Sequence, residues 1–168
     1  MAIFSINFDN LGKQVIRYGL ILSIATIIYF LLTNLLGVSG TEWAGWLGYT
    51  PYLIVIFIGQ KNLDKVYQTS YKSRFFFGAL ISLLAAMVSS LFMYVYLTYI
   101  DDLMVRTVVE NAINTLDKED ANYTQLVVKI KEGITPLFYL KFGTLAGIVV
   151  GILVSAATAI FTRKIVKN

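Results

Sequence analysis

Phe142-Gly143-Thr144-Leu145-Ala146-Gly147-Ile148-Val149-Val150-Gly151-Ile152-Leu153-Val154-Ser155-Ala156-Ala157-Thr158-Ala159-Ile160-Phe161-Thr162 runs without a charge and ends on Arg163 and Lys164. A helix rises about 1.5 Å per residue, so about 20 residues cross the roughly 30 Å of bilayer hydrocarbon. This stretch has that length and no polar face. A transmembrane β-strand would alternate apolar and polar residues, and Ile148 to Val154 does not. It reads as a membrane-spanning helix.

Three more uncharged runs precede it: Tyr18–Thr41, Trp43–Gln60 and Phe75–Ile100. We expect one all-α domain over 1–168 with four transmembrane helices, at about 15–37, 43–60, 75–100 and 138–162. Tyr18–Thr41 exceeds the roughly 7–15 apolar residues of a signal peptide and reads as an uncleaved span. The composition agrees: 57% of the residues are hydrophobic and only 14% charged, against about a quarter charged in soluble domains.

The charges that remain are sorted by side. Lys13, Arg17, Lys61, Lys65, Lys72, Arg74, Arg163, Lys164 and Lys167 flank one set of ends, with only Asp9 and Asp64 among them. The other side carries Glu42 and the segment from Asp101 to Lys141, where acidic residues outnumber basic ones. The positive-inside rule then places both termini and the 2–3 loop in the cytoplasm. Trp43, Trp46, Tyr94, Tyr96 and Tyr99 fall at the outer boundary. The net charge of +4 is explained by this orientation, and nucleic acid is not an expected partner.

The outer segment, 101–136, predicts two short amphipathic helices. The first has Val105, Val108, Val109, Ala112, Ile113 and Leu116 along one side. The second has Leu126, Val127, Ile130 and Ile134, and Pro136 ends it or starts the last span. Their apolar sides need cover, from each other, from lipid or from a partner. The acidic residues here lack the spacing of a calcium loop.

Two series of small residues recur every fourth position: Gly143, Gly147, Gly151, Ser155 and Ala159, and Gly78, Ser82, Ala86 and Ser90. Lipid gives helices no hydrophobic reason to associate, so close backbone approach must hold them, and small residues permit it. The series predict either packing of span 3 on span 4 or an interface with a partner. Lys61, Lys65, Lys72 and Arg74, interleaved with Tyr67 and Tyr71, predict contact with anionic lipid headgroups. Gly45, Gly48 and Pro51 predict a kink in the second span, and Asn34 an interhelical hydrogen bond.

Catalysis finds little purchase. The chain has no cysteine or histidine, and no Asp, Glu, Lys or Arg lies within the four runs. We therefore expect no catalytic residue, no metal site, no cofactor and no enzyme activity. The expected role is an accessory or structural membrane subunit that associates laterally through the small-residue faces and the outer helices. A small oligomeric transporter or channel is the alternative, and membrane lipids, a membrane-protein partner or further copies of the chain are the expected partners.

The basic, tyrosine-containing loop running into Lys72-Ser73-Arg74-Phe75-Phe76-Phe77-Gly78, the aromatic end Tyr94-Val95-Tyr96-Leu97-Thr98-Tyr99-Ile100-Asp101 and the glycine-rich last span closing on Arg163-Lys164 carry a likeness. With these, the chain resembles the small four-span inner-membrane proteins of Bacteroidota grouped as domain-of-unknown-function 4199. The resemblance implies an inner-membrane location and assigns no activity or catalytic residue.

Overall fold

A computed structural model describes residues 8–67, 69–119 and 121–162, without the side chains of 8, 9 and 64–67. The basic tail Arg163, Lys164 and Lys167 lies outside it. Seven helices follow in order: α1 Phe8–Leu35, α2 Glu42–Leu47, α3 Thr50–Tyr67, α4 Tyr71–Tyr99, α5 Leu103–Asn114, α6 Tyr123–Gly133 and α7 Pro136–Phe161. No strand occurs among the described residues. Three helices are long and apolar enough to cross a membrane: α1 from Asn10, α4 and α7.

The run 43–60, expected as one kinked span, is two helices. Tyr49 accepts from the Leu53 amide and so starts α3, while Pro51 has no amide to continue α2's ladder. At the close of α2 the Ala44 carbonyl accepts twice, from the Gly48 amide at 3.1 Å and from the Tyr29 hydroxyl at 2.6 Å, which ties the break to α1. The uncharged part of α3 is shorter than the hydrocarbon, and Lys61, Asp64 and Lys65 occupy its last turns. That separates it from the three long apolar helices.

The ends are defined by local chemistry. At the close of α1, Gly37 takes φ 69°, a left-handed conformation that costs glycine little, and the Val38 and Ser39 amides donate back to the Thr33 carbonyl. Ser70 and Thr135 accept from the Ser73 and Phe138 amides at the starts of α4 and α7. Pro136 at the first turn of α7 loses no bond there, so it opens the last span.

Side-chain contacts set the directions. Phe30 meets Tyr96 edge-on at 5.3 Å, and Gly19 lies against Leu84, so α1 and α4 run the same way. Tyr18 accepts from Asn62 at 2.7 Å, which makes α3 antiparallel to α1. The arrangement of α1, α3, α4 and α7 is up-down-up-down. α4 packs most extensively on α7, and α3 touches α1, α4 and α7.

Leu22, Ile56, Phe77 and Ile81 form a buried apolar core, yet large apolar residues also cover the outside. Ser23, Gln60, Arg74, Ser82, Ser90 and Ser155 are buried, while Ile24, Ile28, Leu32, Leu91, Val95 and Leu153 face outward. Contiguous apolar surface of this kind marks a lipid-facing belt. Some buried hydroxyls are satisfied by their own helices: Ser23 donates to the Gly19 carbonyl at 2.8 Å and Ser82 to the Gly78 carbonyl at 2.8 Å.

Candidate functional site

The two small-residue series face each other. A Cβ on Gly147 would stand 2.9 Å from the Ala86 Cβ, and one on Gly143 would stand 3.1 Å from the Ser90 hydroxyl. A Cβ on Gly151 would collide with Ser82, and one on Gly78 with the Ser155 hydroxyl. The pairs Gly78–Ser155, Ser82–Gly151, Ala86–Gly147 and Ser90–Gly143 form an antiparallel zipper, one rung per helical turn. Ala159 continues it beyond Ser155 and is fully buried. These faces are an internal seam, so lateral association through them, as expected from the sequence, has no free surface to use.

At one end the seam closes on a polar knot. Gln60 is completely buried and donates from Nε2 to the Arg74 carbonyl, the Ser155 carbonyl and the Ser155 hydroxyl at 3.0–3.1 Å. Ser155 donates in turn to the Phe75 carbonyl at 2.7 Å, and Thr162 donates to the Gln60 Oε1 at 3.4 Å. One amide thus ties α3 to both α4 and α7.

Arg74 corrects an expectation. Placed by sequence at the lipid headgroups, it is only 2% exposed. Its Nε donates to the Ala159 carbonyl at 3.1 Å and an Nη to the Thr69 carbonyl. The last carbonyls of a helix lack intrahelical partners, and the guanidinium fork supplies donors to one of them. Arg74 is a fastening between α4 and α7, not a lipid contact. Lys61 and Lys72 are exposed, as headgroup contact requires, with the Lys61 ammonium 5.8 Å from the Phe57 ring. The side chain of Lys65 lies outside the described residues.

The opposite end carries a second clasp. Asn34 donates to the Asp101 carboxylate at 2.8 Å and to the Tyr96 hydroxyl at 3.3 Å, and accepts from Ser39 at 2.8 Å. The interhelical bond expected of Asn34 is present. Asp101 also takes the Leu103 amide at 2.9 Å, which fixes the start of α5.

Between this clasp and the seam lies a cavity of about 380 Å³. α3 begins only at Thr50, so the groove between α1, α4 and α7 is left unfilled beyond its first turn. Tyr29 and Phe30 of α1, Tyr52 of α3, Ser90 of α4 and Tyr139 and Gly147 of α7 line it, and Met104 and Val108 of α5 roof it. No charged residue does. Sequence reasoning missed both Gln60 and this cavity. Gln60 was legible only as the amide that closes an uncharged run, and the cavity follows from where α3 starts.

The match with known families comes down to one result: the family of proteins of unknown function DUF4199 covers residues 17–164, from within α1 to beyond the end of α7. The chain belongs to the DUF4199 family. No curated protein and no solved structure matches it. Membership therefore brings no activity with it, and the DUF4199 chain must be read from its own geometry.

Proposed function

We propose that this DUF4199 chain is a non-enzymatic, four-span accessory subunit of a bacterial inner membrane, of the Bacteroidota type that the resemblance implies. Both termini are cytoplasmic and the α5–α6 connection is periplasmic. Parallel α1 and α4 support four crossings, because residues 36–70 must carry the chain back across the layer before α4 begins. The basic residues of the 2–3 loop support the orientation.

The observation that carries the accessory role is the α5–α6 pair. Neither helix buries a residue; the two pack on each other, and α5 touches α4. Val105, Val108, Val109, Leu126, Val127 and Ile130 are half-covered on the inner side, which leaves Val128 among the exposed apolar residues. With the seam spent internally, these helices and the aromatic rim of Trp43, Trp46 and Tyr99 are the surfaces left for a membrane-protein partner. The alternative, a small oligomeric transporter or channel, draws support from the cavity.

The two separate on one measurement. The tagged chain is purified from its own membranes in mild detergent, and the native assembly is weighed with wild-type and Val128→Asp protein. A stable hetero-complex that Val128→Asp dissociates supports the accessory role. A homo-oligomer that exchanges solutes in liposomes would overturn it.

A further inference from the structure

Most hydroxyls around the cavity are occupied. Tyr29, Thr33, Ser39, Thr41 and Ser89 each donate to an acceptor within the protein. Tyr52, Ser90 and Tyr139 are different: they are 5%, 5% and 8% exposed, line the same cavity, and make no hydrogen bond among the described residues. No fully enclosed side-chain oxygen among the described residues is without a partner, so these three hydroxyls keep a little accessible surface, and all three residues line the cavity. An unmade hydrogen bond in apolar surroundings is costly, and three of them sharing one space point to something that satisfies them.

We propose that the cavity binds an uncharged, membrane-soluble molecule with an apolar body and a hydrogen-bonding oxygen, such as a single-chain alcohol or carbonyl compound. Three features select this chemistry. The walls hold no charged side chain, so an ionic group would lose its hydration without a counterion. Phe30, Phe92, Phe142 and Met93 supply apolar and aromatic surface for the body. The cavity's 380 Å³ lies near the low end of the roughly 300–1,000 Å³ of small-molecule sites, which suits one chain or ring and not a two-chain phospholipid. Met104, unbranched and adaptable, forms part of the roof. The assignment stands apart from the accessory role, since it concerns the interior and not the outer helices.

Photolabelling of the purified full chain with a diazirine-bearing decanol tests it. The label falls within residues 39–52 and 139–147, unlabelled decanol displaces it, and decanesulfonate competes at least about tenfold less well. The triple variant Tyr52→Phe, Ser90→Ala, Tyr139→Phe loses about tenfold or more of that labelling while its lipid-facing background is unchanged. Label confined to outward residues such as Leu91 and Leu153, or equal competition by the sulfonate, overturns the proposal. Undiminished labelling of the folded triple variant does so as well. Should that variant fail to fold, the competition on the wild-type chain decides alone.

Discussion

The two halves of this bundle solve the same problem in opposite ways. At the Gln60 end, α3 fills the groove between its neighbours, and the polar groups of Gln60, Ser155 and Arg74 are bonded across helices. At the Tyr52 end, α3 has only just begun, the groove is open, and three residues that line it carry hydroxyls with no partner among the described residues. Both halves bury polar atoms in an apolar setting. In one the polar atoms hold the protein together, and in the other they remain available.

The seam should prove the most sensitive feature. Gly151→Ile forces a branched side chain into Ser82 where no atom can yield, and we expect a loss of about 3 kcal/mol or more, seen as a collapse of thermal stability in detergent. Gly151→Ala should be partly rescued by Ser82→Gly, and absence of rescue would break the pairing of those two positions. Next is Gln60→Leu, which leaves its acceptors at Arg74 and Ser155 short of donors and should cost about 1–3 kcal/mol in the same melt. Asn34→Ala at the outer clasp should cost about 1 kcal/mol, since membrane hydrogen bonds are individually modest. Tyr52→Phe removes a hydroxyl that makes no hydrogen bond among the described residues and should shift the melt by less than about 0.5 kcal/mol in ligand-free detergent. If Tyr52→Phe proved as damaging as Gln60→Leu, the contrast between the halves would be lost.

Much of the architecture was written in residue type and spacing. The stripes of Gly143 to Ala159 and Gly78 to Ser90 announced close helix approach, and their mutual register supplies the rest. The two outer helices were legible from the spacing of Val105 to Leu116 and Leu126 to Ile134. What misled was Arg74. A basic residue just before an apolar run reads as an interfacial charge, and only packing brings the end of α7 within reach of its guanidinium. The break between α2 and α3 was half legible, since Gly48 and Pro51 marked it. What the sequence did not show is the second bond that Tyr29, fifteen residues before Ala44, makes to the carbonyl at the close of α2. The cavity had no local signature at all, because it is made by the absence of a helix turn.

The Gln60 knot also has a schedule. Its acceptors at Ser155 lie 95 residues downstream, so at about 5–20 residues per second the amide waits on the order of 5–20 s after its own synthesis. During that interval the amide has only the Arg74 carbonyl, 14 residues downstream, among its eventual acceptors, and α3 is tied to α4 alone. Emergence of α7 then adds the second attachment, so a chain truncated before Ser155 should keep only one of the two ties that Gln60 makes.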